Sequence, residues 1–140
     1  MAAMGPDELN EFLAAAFPGT DLPMRVTGAD DAGVVVEQPY DDRQLRPGGT
    51  ISGPTLMTLA DTVAYVAVVS QIGPEFLTVT SNLSIDFLRK PPAAGLRATG
   101  EVLKLGRRQA VIDVRIHTTA AGDALVARAT CTYALPAPER

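Results

Sequence analysis

The chain has 140 residues, 46% of them hydrophobic and 20% charged, a balance that suits one compact domain over residues 1–140 and excludes a disordered chain. Its net charge of −4 leaves no cationic surplus to neutralise a phosphate backbone, so nucleic acid is not an expected partner. Cys131 is the single cysteine, which excludes an intrachain disulfide and a cysteine-based metal cluster, so no metal is expected.

In chain order, the first predicted element is a short helix at about residues 6–17. Pro6 suits its first turn, acids follow, and Leu9, Phe12, Leu13 and Phe17 share one side before Pro18-Gly19 stops it. Acids stand where a signal peptide needs basic residues, and no apolar stretch is long enough to span a bilayer; a cytoplasmic protein with no membrane partner is expected. Strands at about 24–28 and 33–38 flank the turn-forming run Asp30-Asp31-Ala32-Gly33 and are predicted to form a hairpin. A polar loop over 39–50 carries Asp41, Asp42, Arg43, Arg46 and a Pro47-Gly48-Gly49 breaker.

From Gly53 to about Ser70 the chain reads GPTLMTLADTVAYVAVVS, apolar on nearly every side, as in a helix buried all round. Ser52 or Gly53 can cap it, Pro54 fits its first turn, and Gly73-Pro74 ends it. Strands are then predicted over 77–89, 96–105, 107–118 and 124–135, the last two joined through Ala120-Ala121-Gly122-Asp123. Leu83, Ile85 and Phe87 alternate with Asn82, Ser84 and Asp86, as in a strand with one wet face. One buried helix among antiparallel strands implies an α+β domain whose sheet wraps the helix.

Four segments carry a family resemblance: Pro47-Gly48-Gly49-Thr50-Ile51-Ser52-Gly53-Pro54, Leu59-Ala60-Asp61-Thr62, Ile85-Asp86-Phe87-Leu88-Arg89 and Gly106-Arg107-Arg108. In order and spacing, over roughly 30–135, they resemble the hotdog-fold acyl-CoA thioesterases, particularly the phenylacetate-degradation type. That resemblance implies a long central helix wrapped by a curved antiparallel sheet, two protomers pairing their sheets side by side, and active sites at the dimer interface of a homodimer or homotetramer. It also implies a carboxylate on the central helix as general base or nucleophile and a glycine N–H at the helix start polarising the thioester carbonyl; Asp61 and Gly53 occupy those positions. Two positions depart from the family pattern. Ser52-Gly53-Pro54 stands for His-Gly-Gly, and Arg46 stands where Asn is usual.

Thr58, Asp61, Thr62 and Tyr65 fall at helical spacings of three and four, one polar stripe on an apolar helix. Asp61, Gly53, Ser52, Thr62 and Tyr65 are therefore the catalytic candidates. Ser52 serves either as cap or as hydroxyl, and Asp61 either in catalysis or in hydrogen bonds at an interface. Gly53 and Asp61 lie eight residues apart, about 12 Å along a helix, too far for one carbonyl to touch both within a subunit. A neighbouring subunit removes that obstacle. Arg89, Lys90, Arg107 and Arg108 are candidates for binding the phosphates of coenzyme A, or are solvated strand-end charges. Arg46 either contacts substrate or pairs with Asp41 or Asp42. His117, far along a strand, suits a structural or exposed role, and Cys131 suits packing. The expected activity is acyl-CoA thioester hydrolysis with no cofactor, coenzyme A entering as part of the substrate. The alternative is an acyl-CoA-binding protein without turnover.

Overall fold

A computed structural model describes residues 3–19, 23–120 and 122–136. Helix α1 (Pro6–Ala16) carries Pro6, Asp7 and Glu8 in its first turn and buries Leu9, Phe12 and Leu13. It stops one residue short of the predicted end because Phe17 leaves helical geometry, its N–H still donating to Leu13 O at 3.1 Å. Strands β1 (Arg25–Ala29) and β2 (Gly33–Gln38) form the expected hairpin. The first is displaced by one residue from 24–28, because the turn is held by Asp30, whose Oδ1 accepts the N–H groups of Ala32 at 2.8 Å and Gly33 at 3.1 Å. Gly33 lies so close to the next strand that a Cβ there would stand 1.8 Å from Gly100 O.

Helix α2 (Gly53–Ile72) is the centre of the molecule. Ser52 Oγ caps it by accepting Thr55 N–H at 3.3 Å, an arrangement worth about 1 kcal/mol. Gly73, at φ 93°, ends it where residues with a Cβ are strained. Its second half is buried without a break from Val63 to Ser70, but Pro54, Met57 and Thr58 are exposed, so the helix is not buried all round. The expectation that no apolar stretch is long enough to span a bilayer is corrected here: running on to Ile72, this helix alone among the described residues has the length and hydropathy of a span, yet most of it is buried inside the fold.

Strands β3 (Val79–Phe87), β4 (Leu96–Leu105), β5 (Gln109–Thr118) and β6 (Leu125–Ala134) complete one antiparallel sheet in the order β1-β2-β4-β5-β6-β3. β5 begins two residues later than predicted because Arg107 and Arg108 lie in a turn closed by Gly106 N–H donating to Gln109 O at 2.8 Å. Of the turn before β6, Ala121 lies outside the described residues. The concave face presents Ala98, Ile112, Val114, Ile116, Ala129 and Cys131 to α2, all buried. At Gly100 the helix comes close: a Cβ would meet Val63 Cγ1 at 2.8 Å. This is the expected α+β hotdog arrangement, a long central helix wrapped by a curved antiparallel sheet.

Among the described residues β3 is an edge strand, paired only with β6, and it runs antiparallel to the first half of α2. Its C-terminal Phe87 faces Gly53, and Thr80 near its start bonds to Asp61. Leu77 and Val79, at its beginning, and Phe87 and Leu88, at its end, are exposed.

Candidate active site

Asp61 lies on the open face of α2, half-buried, where a cavity of about 290 Å³ is lined by Phe17, Tyr65, Phe76, Val79, Thr80 and Tyr133 among others. One carboxylate oxygen, Oδ1, is held twice. Thr80 Oγ1 donates to it at 2.6 Å, and Tyr133 Oη stands 2.6 Å from it and 2.9 Å from Asp61 O. Oδ2 takes no hydrogen bond from the described residues. The carboxylate thus has one fixed oxygen and one available to a ligand.

Tyr133 comes from β6 and is almost wholly buried, 3% exposed. Burial is the main reason its phenol titrates far above the ordinary range, and the hydrogen bond to Asp61 adds to it, so the hydroxyl keeps its proton and donates. Its ring stacks on Tyr65 at 6.0 Å and 27°. Behind it, Cys131 is buried, and burial, helped by the Asp61 charge, pushes its thiol up to about 12. At neutral pH that thiol is protonated and is no nucleophile.

Of the other catalytic candidates, Thr62 and Tyr65 line the same cavity as Asp61. The Thr62 hydroxyl is spent on its own helix, donating to Thr58 O at 2.8 Å. Tyr65 is 6% exposed, its hydroxyl 3.5 Å from both Glu75 O and Phe76 O. Burial, then the Glu75 charge, raises its phenol above the ordinary value. Tyr65 therefore forms the cavity wall through its ring. Thr80 and Tyr133 were not among the candidates. Strict alternation from Leu83 sets Thr80 on the wet face with Asn82 and Ser84, but the register of β3 on β6 shifts between Thr80 and Asn82, and this bulge brings Thr80 opposite Tyr133 on the helix side.

Gly53 and Ser52 lie at the start of α2, away from Asp61 in the same chain. Gly53 N–H meets no acceptor among the described residues, as expected of the first turn of a helix, and so is a donor at the positive end of the helix dipole. Pro54 removes the next one. The Ser52 hydroxyl is engaged by Thr55, 2.8 Å from its Oγ1, so its first role is the cap. Beside Gly53 a second cavity, about 370 Å³, is lined by Phe87 and by Arg46, Arg89 and Lys90. Arg46 donates to Pro47 O at 3.1 Å, while Asp41 is bridged by Arg43 at 2.8 Å. Arg89 donates to Leu125 O at 3.0 Å. Arg107 and Arg108 are elsewhere: Arg107 lines a groove with Ile72 and Pro74 at the far end of α2, roughly 30 Å from Gly53 along the helix. His117 is partly exposed and pairs with Arg97 in register across β4 and β5, lining neither cavity.

A family profile described as thioesterase superfamily matches residues 48–123, which include the α2 residues of both cavities and β3. A Pseudomonas aeruginosa protein named as a candidate esterase is 33% identical over 111 residues, 74% of this chain and 75% of that one. The crystal structure of a candidate thioesterase from Silicibacter sp. TM1040 superimposes with a TM-score of 0.87 at 36% identity, covering 97% of this chain and 94% of that one. The fold is shared as well with the zebra fish thioesterase superfamily member 2, at a TM-score of 0.83 and 23% identity over 96% of this chain and all of that one. With the profile spanning more than half of the sequence, the chain belongs to the thioesterase superfamily, the thioester hydrolases built on the hotdog fold.

Proposed function

We propose that the chain hydrolyses acyl thioesters of coenzyme A, with Asp61 as the base and Gly53 N–H of a second subunit as the oxyanion donor. The observation that carries this reading is the Asp61 carboxylate, fixed at Oδ1 and free of bonds from the described residues at Oδ2, beside a cavity walled by aromatic and threonine side chains. The two required groups cannot meet within one chain. Gly53 and Asp61 are about 12 Å apart along α2, and β3 runs beside that same stretch. Antiparallel pairing of β3 with its copy about an axis near Leu83 sets Thr80 opposite Asp86 of the partner subunit. Asp61 then faces the partner subunit's Gly53 and the cationic cavity there. The exposed, unpaired edge of β3 supports such pairing.

In that arrangement the acyl group fills the aromatic cavity beside Asp61. Arg46, Arg89 and Lys90 of the other subunit hold the coenzyme A phosphates; Arg107, at the far end of α2, lies away from that cavity in its own chain. Asp61 Oδ2 takes a proton from water as the water oxygen bonds to the carbonyl carbon. The oxyanion that forms is held by Gly53 N–H. Collapse breaks the C–S bond, the thiolate takes the proton from Asp61, and free acid and coenzyme A leave. No cofactor or metal enters these steps.

Turnover of a panel of acyl-CoAs by wild type and Asp61→Ala tests the assignment. The variant is expected to lose about 100-fold or more in kcat; equal turnover rejects Asp61 as the base. A second reading, a protein that binds CoA esters without cleaving them, is favoured by one feature: the Ser52 hydroxyl is tied in the cap, so Gly53 N–H is the lone donor at the helix start. Tight binding of CoA esters by wild type with no turnover across the panel selects it.

A further inference from the structure

We propose that Tyr133 is a positioning residue for the Asp61 carboxylate, its hydroxyl tying the side chain back to the helix so that Oδ2 alone is presented to the substrate. This rests on Asp61 acting as base. The geometry is unusual in that both acceptors of one phenol belong to one residue: Asp61 O at 2.9 Å and Asp61 Oδ1 at 2.6 Å. The hydroxyl thus bridges main chain and carboxylate of the same residue and restricts rotation about its side-chain bonds. Thr80 supplies the second donor to Oδ1 from the opposite strand, and its hydroxyl is exposed. Tyr133 is 3% exposed and its hydroxyl reaches Asp61 from the wall of the cavity.

The support behind Tyr133 is rigid. Its residue pairs across β6 with Thr80 of β3 on one side and Ala110 of β5 on the other, and its ring is stacked on Tyr65, which itself contacts Phe12 and Phe17. A hydroxyl fixed in this way sets the carboxylate in place before substrate arrives, and misplacing a reacting group by about 1 Å costs about 100-fold in rate. Simple packing requires the ring alone. The hydroxyl, aimed at Asp61 from the last strand, serves the carboxylate.

Tyr133→Phe keeps the ring and its stacking and removes only that hydroxyl. The expected result is a 10- to 100-fold lower kcat with KM within about twofold of wild type, since nothing that contacts coenzyme A changes. Combination with Asp61→Ala separates positioning from structure. If Tyr133 acts through Asp61, the double variant has the same residual activity as Asp61→Ala alone. A double variant slower than Asp61→Ala by the factor seen in Tyr133→Phe overturns the proposal, as does a Tyr133→Phe enzyme with wild-type kcat. Full turnover by Asp61→Ala is a different failure, of the catalytic reading itself. A measurement on the native tyrosine guards against loss of folding in the phenylalanine variant: the hydroxyl proton, in a short bond to a carboxylate, is expected as a downfield resonance that moves upfield in Asp61→Ala, where the main-chain acceptor alone remains. An unmoved resonance there overturns the proposal too.

Discussion

Gly53 has room for a side chain it does not carry, because a Cβ there would meet the Phe87 ring at 3.6–3.7 Å, ordinary contact. Its N–H, not its lack of a side chain, is therefore what the proposed reaction uses. Gly53→Ala keeps that N–H and is expected to fold and turn over within a few-fold of wild type. Gly53→Pro removes the N–H at a helix position that tolerates proline and is expected to lower kcat about 100-fold, the scale of one lost oxyanion donor. Steady-state kinetics of the pair, with melting curves as a check on folding, decide this; equal losses in both would assign the effect to shape. Gly53 and Asp61 were both legible in the sequence, the one from a breaker-rich helix start and the other as a lone acid in an apolar helix. Thr80 and Tyr133 were not. Thr80 is turned inward by a bulge that no residue pattern announces, and Tyr133 meets Asp61 only when the chain folds back on itself across a separation of 72 positions.

Helix α1 contributes to the candidate site more than its position at the margin suggests. Phe17 at its end lies edge-on to Tyr65 at 6.0 Å, and Phe12 stacks on Phe76 at 4.7 Å and 11°. Phe17 and Phe76 line the Asp61 cavity, and Phe12 backs Phe76. Phe17 is 41% exposed, so Phe17→Ala opens this wall at little cost to the core. The ratio of kcat/KM for long acyl-CoAs to that for short ones is expected to rise several-fold, up to about 10-fold, consistent with a pocket contact of 1–3 kcal/mol. An unchanged ratio across a chain-length series would show that the acyl group lies elsewhere. The two α-helices and all six strands were legible to within two residues because Pro, Gly and Asp mark many of their ends. The inner wall was not, since Phe12, Phe17, Tyr65, Phe76 and Tyr133 come from four separate elements or loops.

At the scale of the molecule, the exposed edge of β3 distinguishes this sheet from a closed one. Central strands alternate buried and open residues in the usual way, whereas β3 buries none of its residues fully. Its helix-side residues, Leu83 and Ile85, only partly reach the core. The sequence showed the alternation but not which strand would lie at the edge, because strand order depends on long-range pairing. The run of β3 against α2, from Thr80 beside Asp61 to Phe87 beside Gly53, has a consequence for mixtures of defective proteins. Each site would borrow its halves from different chains, so a subunit lacking Asp61 and a subunit lacking the Gly53 N–H should complement each other. When Asp61→Ala and Gly53→Pro are unfolded and refolded together in equal amounts, about half of the pairs are mixed, each with one intact and one doubly defective site. Activity should return to about a quarter of the wild-type level, against about a hundredth or less in either parent.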